Sequence, residues 1–95
     1  MTDEELRDEA KAFADEIQAH EGSRRRMPDE LNERFRRIVA SFRELYPVSK
    51  QLRDWKDLPT GQAFNYAQAY KWARKIQDFC NMQVATEQVH PIRIV

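Results

Sequence analysis

Gln62, Asn65 and Gln68 stand at i, i+3 and i+6, a spacing that lines them along one side of any helix containing them. An amide is the side chain that pairs bidentately with the adenine edge in a major groove. Lys71 and Lys75 follow on the same segment, and Lys50, Arg53 and Lys56 precede it at helical spacing. Cations so placed contact backbone phosphates, which position a duplex without reading its sequence. A second basic group, Arg24, Arg25 and Arg26, falls where no apolar periodicity runs, as in arms that touch phosphates or enter a minor groove. The expectation is therefore a DNA-binding surface. Gln62, Asn65 and Gln68 would face bases, and Arg24, Arg25, Arg26, Lys50, Arg53, Lys56 and Lys71 would face phosphates.

Other chemistries find less support. The two histidines, His20 and His90, lie far apart without a nucleophile motif, and two glycines cannot build a phosphate-cradling loop. Glu16 and His20 have the i, i+4 spacing of a metal-ligand pair, with Asp15 and Glu21 nearby. On so acidic a helix, that pair reads as a solvated face. Cys80 falls among aromatic residues and reads as a small buried hydrophobe. No enzyme activity, metal or cofactor is expected.

The elements that would carry these residues follow from periodicity and punctuation. Thr2 is the predicted N-cap of a first helix to His20, with Asp3, Glu4 and Glu5 at its positive end. Leu6, Ala10, Phe13 and Ile17 form its apolar stripe, and Gly22 is its stop. A basic linker, 23–27, leads to a second helix at Pro28. Leu31, Phe35, Ile38, Val39, Phe42, Leu45 and Tyr46 give that helix the best amphipathic pattern in the chain, while Arg34, Arg36, Arg37 and Arg43 take other faces. Pro47 ends it. Ser49 caps a short third helix with Leu52 and Trp55 inward, closed by the break Leu58-Pro59-Thr60-Gly61. A fourth helix is expected from Gly61 to Met82. Short helix, Gly-containing turn and long helix have the outline of a helix-turn-helix. Beyond it Val89, Ile92, Ile94 and Val95 are β-branched and Pro91 opposes a helix, so 84–95 is expected to be an extended arm.

The chain of 95 residues suits one domain, 41% hydrophobic and 34% charged, which is the balance of a charge-rich helical fold. The net charge is zero but unevenly distributed. Residues 1–22 hold eight acids against two bases, and residues 23–43 hold seven bases against three acids. A basic face backed by an acidic helix is the implied surface. The acidic start is unlike a secretory leader, no apolar run approaches the roughly 20 residues of a bilayer span, and one cysteine cannot form an internal disulfide. A soluble cytoplasmic protein without membrane partners is the expectation.

The run Ser23-Arg24-Arg25-Arg26-Met27-Pro28, a helix with Phe35 and Ile38, then Leu52, Leu58-Pro59-Thr60-Gly61 and Lys71-Trp72-Ala73-Arg74 resembles the small accessory proteins and transposase N-terminal domains of bacterial insertion sequences. The likeness covers residues 23–75. It departs at Arg53, where a small residue is expected, and in extra residues around Asn65 to Tyr70 that separate the turn from Trp72. The resemblance implies sequence-specific DNA binding in a mobile-element or phage setting.

A different class also fits. Small charged helical proteins with an acidic helix and an arm include phage-encoded inhibitors and antitoxin-like partners. Here Asp3, Glu4, Asp8, Asp15 and Glu16 would form a negative rod imitating phosphate, and Ile92 and Ile94 would lie on an arm that adds to a protein partner. A homodimer burying excess aromatic surface is a third option. The leading expectation is an all-α domain of four helices with a helix-turn-helix-like pair and an extended C-terminal arm. Its expected core is Phe13, Ile17, Phe35, Ile38, Phe42, Leu52, Trp55, Trp72, Ile76 and Phe79.

Overall fold

The structure is a computed structural model that describes residues 2–46 and 63–93, with side chains in the last helix through residue 86. Among the described residues are three α-helices: α1 (Asp3–Ile17), α2 (Asp29–Leu45) and α3 (Tyr66–Arg93). The fold is all-α. The predicted short helix from Ser49, with Leu52 and Trp55, and the turn at Leu58–Gly61 lie outside the described residues.

Helix α1 starts with a reciprocal cap. Glu5 N–H donates to Thr2 Oγ1 at 3.2 Å, and Thr2 N–H donates to Glu5 Oε1 at 3.2 Å. Its inner stripe is Leu6, Ala10, Phe13, Ala14 and Ile17, all buried. A single 3-10 turn, Gln18–His20, follows and leads into an irregular strap at 23–27. Helix α2 opens behind Pro28, with Asp29 and Glu30 at its positive end, and buries Asn32, Phe35, Ile38, Val39 and Phe42.

Cross-helix pairs set the helix directions. Arg74 reaches Asp15 at 2.8 Å and Arg7 reaches Asn81 at 3.5 Å, so α1 and α3 run antiparallel. Arg34 pairs with Glu16 and Tyr46 Oη donates to Asp3, so α1 is antiparallel to α2 as well. Small residues on the facing stripes, Ala10 and Ala14 of α1 with Ala69 and Ala73 of α3, are fully buried. Phe13 stacks on Phe35 at 5.9 Å, Phe64 meets Phe35 edge-on at 4.8 Å, and Phe79 meets Phe42 edge-on at 5.5 Å. Of the expected core, Phe13, Ile17, Phe35, Ile38, Phe42, Trp72 and Ile76 are buried and Phe79 packs against the cluster from its rim.

Two boundaries correct the sequence reading. Helix α3 begins at Tyr66 rather than Gly61, because Asn65 caps it: Gln68 N–H donates to Asn65 Oδ1 at 2.7 Å. The second concerns the extended arm expected over 84–95. Helical backbone continues through Pro91 to Arg93, with Val84 buried on it. The proline falls in the last turn, where it removes one backbone bond from an already propagated helix, and β-branched residues cost a helix only a few tenths of a kcal/mol each. With 28 residues, α3 is about 42 Å long against about 22 Å for the 15 residues of α1. Because Arg7 sits level with Asn81, the end of α3 runs past the start of α1.

Candidate nucleic-acid interface

The strap 23–27 is the local feature on which the site depends. Ser23 N–H donates to His20 C=O at 2.8 Å, and Arg25 N–H donates to Ser23 Oγ at 3.2 Å, which closes a compact turn. The strap then lies antiparallel along the residues that start α3, with a β-bridge between Arg26 and Asn65. Met27 N–H donates to Phe64 C=O at 3.0 Å, Tyr66 N–H to Arg25 C=O at 3.1 Å, and Ala67 N–H to Ser23 C=O at 2.8 Å. These bonds have a second effect. Tyr66, Ala67 and Gln68 N–H, the orphan donors of a helix start, are all satisfied by Arg25, Ser23 and Asn65.

The basic linker is therefore not a free arm. Arg24, Arg25 and Arg26 are exposed, but they rise from backbone hydrogen-bonded to α3 on both sides of Arg24. Arg26 lies 3.6 Å from Asp29, with both side chains largely in water, so the pair leaves its charge available. Three guanidinium groups thus flank the positive end of a long helix. Since the helix's own first N–H groups are occupied, attraction for an anion here comes from the arginine side chains and the dipole.

The other sequence-predicted residues divide into three groups. Gln68 and Lys71 are exposed on the first turns of α3, which follow directly on the residues paired with the strap. The Lys71 and Lys75 ammoniums lie 5.6 and 4.5 Å from the Trp72 ring centroid, which settles their stems along α3. Asn65 is half-buried and its side-chain oxygen accepts from Gln68 N–H as the α3 cap, a role that competes with the predicted contact to a base edge. Gln62, Lys50, Arg53 and Lys56 lie outside the described residues.

The acidic residues assigned to a protein partner are engaged within the fold. Asp8 accepts from Arg7 at 3.1 Å, and Glu16 pairs with Arg34, whose guanidinium also covers the Phe13 ring at 5.4 Å. Asp15 is held by Lys11 at 2.7 Å and Arg74 at 2.8 Å. The Lys11 and then the Arg74 hydrogen bond keep its carboxyl below the usual value of 3.8. His20, weighed with Glu16 as a metal pair, packs its ring at a tilt against Tyr66, 4.5 Å between centroids. Ile92 lies on the α3 helix, and Ile94 is outside the described residues.

Cys80 is buried, and burial, followed by the neighbouring Asp3, pushes its thiol up to about 12. It is a packing residue, as its aromatic surroundings suggested. Comparison with known protein families, with curated proteins and with solved structures gave no significant match.

Asn32, Met27 and Phe64 hold the strap and were not anticipated. Asn32 Nδ2 donates to Met27 C=O at 2.9 Å and Phe64 N–H donates to Asn32 Oδ1 at 2.9 Å, with all three residues buried. A signal existed in the sequence. Asn32 stands three residues before Phe35 and seven before Val39, on the apolar stripe of α2, where a polar residue requires partners.

Proposed function

We propose that this protein binds DNA at the corner formed by the strap 23–27 and the start of α3. The observation that supports the reading is the backbone pairing of 23–27 with 64–67, which fixes three exposed arginines beside the exposed Gln68 and Lys71. Arg24, Arg25, Arg26 and Lys71 then contact phosphates, and Gln68 is the amide directed to a base edge. In the helix-turn-helix form of the reading, Gln62 extends the base-facing row and Lys50, Arg53 and Lys56 add phosphate contacts. The resemblance to insertion-sequence accessory proteins supplies a mobile-element or phage setting, with the protein cytoplasmic.

The rival reading, an inhibitor or antitoxin-like protein using the acidic α1, is less well supported because Asp15 and Glu16 are paired across the helix interfaces with Arg74 and Arg34. A titration of mixed-sequence duplex DNA at several salt concentrations tests the choice. Affinity should fall steeply with salt, and replacing Arg24, Arg25 and Arg26 by alanine should lower the slope of log K against log salt by about 0.9 for each phosphate no longer neutralised. Absence of binding at low salt would reject the proposal and direct attention to a protein partner.

A further inference from the structure

Asn32 is the one buried polar side chain among the described residues. It closes a three-membered ring of hydrogen bonds: Asn32 to Met27 C=O, Met27 N–H to Phe64 C=O, and Phe64 N–H back to Asn32. A side chain needs both a donor and an acceptor at one branch point to complete this ring, and asparagine is the residue of this size that has them. The rest of the strap has little else to hold it. Met27 is its one buried residue, Ser23 is half-buried, and Arg24, Arg25 and Arg26 are in water. Their backbone bonds to α3 therefore lie at the edge of the fold, where water competes. The Asn32 ring is the buried part of the pairing, and it sets the register. A slip of one residue between the two extended segments would turn alternate side chains to the opposite face and redirect the arginines.

We propose that Asn32 is the positioning residue of the arginine strap: it locks 23–27 against 64–67 so that Arg24, Arg25 and Arg26 are presented to phosphate in one fixed arrangement. This rests on the DNA-binding reading for its purpose, but the locking itself is measurable without DNA. Strap and helix start then form one cooperative unit, opening together and separately from α1.

The test uses the full chain with Asn32→Asp and Asn32→Leu, read by amide hydrogen exchange at Met27, Phe64, Tyr66 and Ala67 and by salt-dependent binding to duplex DNA. Near neutral pH, Asn32→Asp sets a carboxylate against the Met27 carbonyl. The four amides should exchange at least about tenfold faster, and by a larger factor than the α1 amides, and the salt slope of DNA binding should fall. Burial raises a carboxyl pKa, so mild acid should protonate Asp at this position. The neutral acid has one O–H donor and one C=O acceptor, and protection of the four amides should return by a larger factor than any change at the α1 amides, a confinement to the strap that a general loss of stability would not give. Wild-type protection of those amides in both variants would overturn the proposal. If neither variant folds, the native chain decides: a common protection factor for the four amides supports the lock, and a spread above about tenfold refutes it. Faster strap opening with unchanged DNA binding would leave the lock and remove the strap from the DNA contact. Unchanged amides with arginine-dependent binding would do the reverse.

Discussion

Cys80 lies where α3 passes the start of α1, against Asp3, whose carboxylate also accepts from Tyr46. Its pKa, raised from 9.0 to about 12, has two consequences. The thiolate is the reactive form, so a thiol reagent at mildly alkaline pH should modify Cys80 only after denaturant is added, measured as the rate of thiol modification. The native state also holds this proton across a window in which the unfolded chain has lost it. Stability should therefore decline as pH rises from about 9 toward 12, which denaturant titration with and without Cys80→Ala would isolate. Asp15 has the opposite sign. Its lowered pKa means its pairing with Lys11 and Arg74 helps the fold above the unfolded value of 3.8 and is lost as pH falls below it. Asn32→Ala should cost about 1–3 kcal/mol in a denaturant melt, because Met27 C=O and Phe64 N–H are left buried without their side-chain partner.

Among the helices, α1 was the most legible, because its cap, its acidic first turn and its stripe all agree on one answer. Helix α2 was nearly so. For α3 the core positions Trp72 and Ile76 followed from periodicity, but both boundaries did not. Asn65 looked like an exposed amide in a row of amides, and the same side chain is an equally good helix cap. Sequence spacing cannot choose between those roles. Asn65→Ala should lower stability by about 1 kcal/mol in a thermal or denaturant melt and speed exchange at the Gln68 amide, whereas an Asn65 used only for reading DNA would leave both unchanged. At the other end, Pro91 and the β-branched residues read as a helix stop, yet a helix already propagated for several turns carries through them.

The chain has no net charge, but its acids and bases are unevenly distributed along the sequence. The arginine strap lies at the end of the bundle where α1 finishes and α3 begins, while Glu4, Glu5 and Asp8 are exposed toward the opposite end. On the proposed DNA-binding role, the exposed arginines should steer the encounter, so association with duplex DNA should slow with added salt more than dissociation changes, measured by stopped-flow mixing. Sequence alone determined the helical class, the acidic α1, the amphipathic α2 and much of the core, because these depend on local capping and on apolar residues repeating at helical spacing. Only the tertiary structure decided what the linker and the start of α3 become. The strap's carbonyls meet the N–H groups of Tyr66 and Ala67, and Asn32 finds Met27 and Phe64. Backbone groups look alike at every residue, so which segments exchange hydrogen bonds emerges only when helix packing brings 23–27 and 64–67 side by side.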